Sequence, residues 1–449
     1  LYRQKLLRLY EENKQFDKAQ RLLDEWIPAA KPPELAQQLR MAKLRFYGMA
    51  NQPDRAIAYL QAEDNLRNDI SARQSLLAVL SETKSFDKSQ RLLDAWLARN
   101  PSDARLRQFK LLMYGQADDL AAARAYADQW IAAEPLNLLP RQVLIGILSE
   151  SKKYNEALRI VDGWLREAAK SAPVATPTRP AAASAPASAP TSTPATVPAV
   201  ASAPTTASAP ASRPTASRPA EPTTREVQRQ KLVEWLREAS LRLLITLQDY
   251  DTALERASKY VAAEPENMVL RTIQSSILME LGRQADAAKI LEVVLKAQPD
   301  DPQICNDLGY LYADMGVNLT QAEKLVRSAL AKKPDEVNLQ DSLGWVFYKQ
   351  GRFRDAAAVF DQVLRGRESE AGEQVERLSS VMYDHAGDVY YRLGANTRAV
   401  DLWKTALNLA GTEKPAGVET RRILRNVPLK IQAVSEGKTP PVATVPGKP

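Results

Sequence analysis

The 449-residue chain holds one cysteine, Cys305, and one histidine, His385. A lone thiol excludes an internal disulfide and any cysteine-based metal cluster. A lone imidazole leaves little for acid–base catalysis, and His385 reads as a surface or interface residue beside a small neighbour, Ala386. No nucleophile elbow, phosphate loop or HExxH pattern occurs. No run of 18 apolar residues occurs either, so nothing reads as a membrane span. Lys and Arg outnumber Asp and Glu by 61 to 54, for a formal charge of +7. That excess is spread thinly over both halves, whereas a nucleic-acid binder gathers it on one face. No cofactor, metal or nucleic-acid partner is expected.

What is present is helical and repetitive. The chain is too long for one core, because single cores stop growing beyond roughly 250 to 300 residues. From 168 to 224 the composition turns to Ala, Pro, Ser and Thr, as in SAPASAPTSTPATVPA, with no aromatic residue. Too little apolar surface and too much proline predict a disordered, partly polyproline-II spacer. It reads first as a tether, with a docking stretch for a proline-binding module or a glycosylated stalk as alternatives. The tail 436–449 is also expected to be disordered. The chain opens on Leu1 with helical spacing already running at Leu6, Leu7 and Tyr10, which suggests residues upstream.

The C-terminal half superimposes on its glycines as CNDLGYLYADMG, QDSLGWVFYKQG and YDHAGDVYYRLG. Each is followed by alanine and an apolar residue four later: Ala322 and Val326, Ala356 and Phe360, Ala399 and Trp403. Helix-stop prolines at Pro265, Pro299 and Pro334 lie 34 and 35 residues apart. The N-terminal half keeps the period through Trp96, Trp130 and Trp164, with a further copy ending near Trp26 and a weaker one around Asp54 to Leu60. A period near 34 residues is that of one helical hairpin. About ten hairpins are expected, five on each side of the spacer.

These units resemble the tetratricopeptide repeat (TPR) family, whose W-x2-L-G-x2-Y, A-x3-F and P pattern is matched by Cys305, Leu308, Gly309, Tyr312, Ala322, Val326 and Pro334. Leu343, Gly344, Phe347, Ala356 and Phe360 match it in the next unit, and Tyr383, Ala386, Gly387, Tyr390, Ala399 and Trp403 in the one after. The style of the repeats resembles bacterial members, which leans the compartment towards the cell envelope or secretion. The expected fold is all-α: two TPR-like α-solenoid arrays joined by the Ala/Pro/Ser/Thr linker and moving independently. The boundaries are 1–167 for a degenerate array, 168–224 for the linker, 225–411 for the second array, 412–435 for a capping segment and 436–449 for the tail.

Gly344 sits inside a helical run, where glycine costs roughly 1 kcal/mol relative to alanine. Close packing of the hairpin's second helix would offset that cost. Trp345, about 200° around the helix from Leu343, then points away from its hairpin partner. The resemblance implies that first helices line a concave surface that binds extended peptides or helices, so Trp345 is expected to face a groove. Tyr310 and Asp388 occupy the Trp345 position in adjacent repeats. Asn306, Asp341 and Asp384 lie one turn earlier, and Tyr348 and Tyr391 three residues later. Together they make an aromatic and acidic stripe, suited to holding a ligand's backbone or its Lys and Arg. The family's clamp for C-terminal carboxylates needs Lys, Asn and Arg where this chain has Asn306, Asp341 and Asp384, which disfavours an acidic tail as ligand. The bland alternative has Trp345 and Tyr310 packed on neighbouring repeats and the carboxylates solvated. The N-terminal array departs differently, with arginines recurring at Arg73, Arg107 and Arg141 on first helices and tryptophans on second helices that read as packing between repeats.

The function expected is a non-catalytic scaffold or adaptor that binds protein or peptide partners in the C-terminal groove, with self-association possible. The alternatives are a structural spacer or assembly subunit of a bacterial cell envelope, and a glycan-active enzyme using Asp384 and Asp388 as paired acids.

Overall fold

A computed structural model describes residues 2–170, 223–368, 378–414 and 416–447. The expected spacer falls mainly on 171–222, outside the described residues. Every regular element is a helix, and they pair as hairpins. The N-terminal pairs are α1 (Tyr2–Glu12) with α2 (Phe16–Trp26), α3 (Pro33–Met49) with α4 (Pro53–Ala62), and, after the short α5 (Asp64–Arg67), α6 (Ile70–Glu82) with α7 (Phe86–Arg99). Next come α8 (Ala104–Gln116) with α9 (Leu120–Ala133) and α10 (Leu139–Glu150) with α11 (Tyr154–Lys170). Beyond residue 222, α12 (Thr224–Thr246) pairs with α13 (Tyr250–Ala263), α14 (Met268–Glu280) with α15 (Gln284–Ala297), and α16 (Pro302–Met315) with α17 (Leu319–Lys332). Then α18 (Val337–Lys349) pairs with α19 (Phe353–Glu368), and α20 (Ser380–Arg392) with α21 (Asn396–Ala410). A last helix, α22 (Val418–Ser435), has no hairpin partner.

One backbone device makes each of these ten turns. After the first helix a residue takes a left-handed conformation, joined at the α16–α17 turn by a second one, Asn318, and this breaks the helix and lets the next start two or three residues later. In the N-terminal hairpins that residue is Lys14, Asn51, Lys84, Asp118 or Lys152, and at the α12–α13 turn it is Gln248. Glycine takes over at Gly282, Gly316, Gly351 and Gly394, where it adopts positive φ without a Cβ penalty.

The mid-helix glycines answer to close packing. A Cβ on Gly344 would stand 2.7 Å from Phe360 Cε2, and one on Gly309 2.7 Å from Val326 Cγ2. Both distances are below any real carbon contact, so only glycine lets the second helix approach this closely. The apolar residue four after the repeat alanine fills the space, which is why the two positions recur together.

In the N-terminal array Trp96, Trp130 and Trp164 are buried and Trp26 is half-buried, and arginines pair with the first three inside a hairpin. The guanidiniums of Arg73, Arg107 and Arg141 lie 4.9, 5.6 and 5.4 Å from the ring centres of Trp96, Trp130 and Trp164. The expected packing is present, although within a hairpin and through cation–π contact as well as apolar area.

The arrays on the two sides of residues 171–222 abut each other. Leu232, Leu236 and Leu243 of α12 share a core with Val161 and Trp164 of α11. Arg229 Nη2 donates to the Ala168 carbonyl at 2.7 Å, and Arg256 of α13 forms a two-point pair with Asp162 at 2.5 and 3.0 Å. The expected independent motion of two arrays meets a packed, ion-paired junction instead. The reason is local: α12 carries the same apolar stripe as any first helix, and α11 offers the matching open face.

Candidate functional site

The first helices α14, α16, α18 and α20 present their inner faces along one side of the solenoid, and α22 with the segment after it lies across them. At the start of α22 the Val418 N–H donates to Glu280 Oε2 of α14 at 2.9 Å, and Arg422 pairs with Asp314 of α16 at 3.5 Å. Further along, Lys430 Nζ lies 2.6 Å from both Asp384 and Asp388 of α20. Ile423 and Val427 are buried in the same core as Trp345, with Ile431 and Val434 packed at its edge. These residues make one face of α22, and Lys430 sits within it.

Beyond α22 the chain runs extended over the same surface. The Ala443 N–H donates to Asp388 Oδ2 at 3.0 Å, and its carbonyl accepts from Tyr348 Oη at 2.6 Å. Val445 is 3% exposed. Pro446 seats on Gly316, where a Cβ would stand 2.8 Å from its ring. Of the tail expected to be disordered, the part from Pro440 to Pro446 lies against this surface, because Val442, Ala443 and Val445 find apolar cover and both polar groups of Ala443 find partners, while Glu436 to Thr439 are exposed. Residues 412–435 do more than cap the last hairpin, since α22 reaches back three hairpins to Glu280.

The sequence-derived site residues converge beneath this segment, where the structure corrects their expected exposure. Trp345 does turn from its hairpin partner, but it is 1% exposed. Its ring stacks 3.8 Å from His385 and 4.9 Å from Tyr348, and its Nε1 donates to Asp314 Oδ1 at 3.3 Å. Tyr348 is wholly buried. Asp341 lies 3.0 Å from His385 Nδ1. Asn306 is buried with its Oδ1 unpartnered among the described residues, and half-buried Tyr310 lies 6.1 Å from the His385 ring. Tyr391 stands apart from this cluster, tilted 6.1 Å from Trp403.

Asp384 and Asp388 are buried, not solvated, and both are claimed by Lys430, so neither faces open space as a paired acid. Asp388 also accepts from Trp403 Nε1 at 3.0 Å. Burial alone would pull the Lys430 pKa down, but Asp388 and Asp384 outweigh it and hold the ammonium charged. Two carboxylates to one ammonium leave an excess negative charge, and burial with that neighbour pushes Asp388 up. His385 is buried rather than superficial. Burial works against its charged form, yet the Asp341 carboxylate more than compensates and raises its pKa above the ordinary value. Sequence reasoning missed Lys430, Arg422, Asp314 and Ala443. The one available signal was Lys430 itself, a cation inside an otherwise apolar helical stripe.

Among the described residues no group of three or more His, Cys, Asp and Glu side chains could hold a metal. No described helix is long and apolar enough to cross a membrane.

Ten stacked helical hairpins among the described residues, with the inner faces of α14, α16, α18 and α20 covered, define an α-solenoid. The tetratricopeptide repeat family model matches residues 239–302 and 306–373, so that stretch of the C-terminal array carries tetratricopeptide repeats. A TPR repeat-containing protein of Pseudomonas aeruginosa is 32% identical over 101 residues, covering 22% of this chain and 17% of its own length. The chain thus spans less than a fifth of that relative. A tetratricopeptide repeat protein from Parabacteroides merdae is 14% identical, with 70% of this chain and 95% of that one covered and a TM-score of 0.42. A TPR protein of Thermus thermophilus is 19% identical, with 42% and 98% covered and a TM-score of 0.33. Repeats of this family serve protein–protein interaction and are typically non-catalytic.

Proposed function

We propose that the chain is a non-catalytic scaffold that holds a partner peptide or helix in the groove formed by the first helices of its C-terminal array. The observation that supports this reading is that this inner face already grips a peptide-like segment, with Asp384 and Asp388 taking its lysine and Tyr348 and Asp388 taking its backbone. A surface able to satisfy both the side chain and the main chain of an extended segment has the properties of a peptide site.

Cross-linking mass spectrometry on the full chain, purified with its partners from its source cells, tests the reading. Partner cross-links should concentrate on α14, α16, α18, α20 and α22. Cross-links confined to the second helices would overturn it.

A further inference from the structure

We propose that α22 and the extended segment after it are a resident stand-in for the ligand. In this scheme, which rests on the groove reading above, the occupant that replaces them is a segment of another protein with the same two-part chemistry. Its first part is a helix with one lysine set in an apolar face, and its second a short extended stretch.

Three observations carry the proposal. The first is charge. The surface under the segment holds Glu280, Asp314, Asp341, Asp384 and Asp388 against Lys349 and Arg392, so acids prevail, and the segment brings Arg421, Arg422 and Lys430 to them with Glu419 as their acidic neighbour. Removing the segment would leave an acidic inner face, so its occupant must be basic.

The second is the weakness of α22 as a helix. Pro428 lies in its interior on the exposed side. An interior proline has no N–H to give and clashes with the preceding turn, which disfavours an isolated helix strongly. The groove, not intrinsic propensity, holds α22 in shape, as befits an element that can be exchanged. The third is that the extended part is held as a bound peptide would be, at alternating points: both polar groups of Ala443 are taken by groove side chains, Val442 and Val445 turn to apolar cover, Pro446 seats on Gly316, and Thr444 between them stays exposed.

A test uses the full chain and a fluorescent synthetic peptide of residues 418–447, with binding read by anisotropy. Val445→Asp should loosen the resident tail and improve peptide binding at least tenfold over wild type. Pro428→Ala, at an exposed position, should strengthen the resident helix and weaken peptide binding at least tenfold. The two variants act in opposite directions, so a misfolded Val445→Asp chain would still leave the Pro428→Ala arm decisive. A peptide carrying Lys430→Gln should lose most of its affinity.

Equal binding by all three chains, or by both peptides, would overturn the proposal. If Val445→Asp made the chain dimerise by exchanging these segments, the surface would belong to a second copy, and the proposal would also fall. Loss of peptide binding while partner cross-links still map to the inner face would refute the stand-in and leave the scaffold reading intact.

Discussion

Lys430→Met removes the ammonium from between Asp384 and Asp388 while keeping most of the aliphatic stem. Lys430 is 4% exposed, and its Nζ lies 2.6 Å from both carboxylates. Withdrawing one member of a buried ion pair typically costs about 3 to 5 kcal/mol, because the charge left behind is neither solvated nor paired. Here two carboxylates are left, although Trp403 Nε1 and the Ala443 N–H continue to donate to Asp388. The loss should therefore fall within that range. At roughly 2 to 4 °C per kcal/mol for a unit of this size, the C-terminal array should melt about 6 to 20 °C lower. Amide exchange should quicken first in α22 and α20. Adding Asp384→Asn and Asp388→Asn should restore most of the stability, since replacing a whole buried network is often close to neutral. Raising the salt concentration should change little, because buried pairs are weakly screened. A loss below about 0.5 kcal/mol, the size expected of a surface substitution, would refute the sealed groove.

Gly344→Ala would gain up to about 1 kcal/mol at an open helix position, but here the new methyl meets Phe360, and overpacking costs about 1 to 3 kcal/mol. Chemical denaturation should show net destabilisation, smaller than additive when combined with Phe360→Leu; a stabilised single variant would refute the close-packing account. His385 has a raised folded pKa, so its contribution is fully present below the unfolded value of about 6.5 and fades as pH rises through the folded value. The stability advantage of wild type over His385→Gln should shrink from about pH 6.5 upward, and an advantage that grew with pH would contradict the Asp341 pairing. A protease cut within 171–222 should give two fragments that still migrate as one particle on gel filtration, because α11 and α12 share a core; fragments that separate without denaturant would refute that junction.

Local rules carried the sequence far. The recurrence of Gly309, Gly344 and Gly387 ahead of Val326, Phe360 and Trp403 identified the hairpins, since the clash that fixes each glycine lies within one repeat. The same logic placed Trp345 on the inner side of its helix. Its burial was legible only as the alternative of packing on neighbouring repeats, because its cover comes from His385 and Asp314, each one hairpin away. Nor could spacing reveal that Lys430 meets Asp384 and Asp388 more than 40 residues upstream, a contact set by how α22 folds back across α20. A periodic pattern reports which face of a helix is apolar. It does not report what covers that face.

The hydrogen bond from Arg229 to the Ala168 carbonyl places the two roots of residues 171–222 beside each other. That contact keeps the two described ends that flank residues 171–222 at one place on the solenoid, where α11 and α12 share a core. The entropy cost of holding two chain ends together grows only with the logarithm of the length between them, about 0.6 kcal/mol for each doubling. The solenoid is thus largely indifferent to how long the insert is, and whatever the insert carries stays anchored to one fixed place at the junction of α11 and α12.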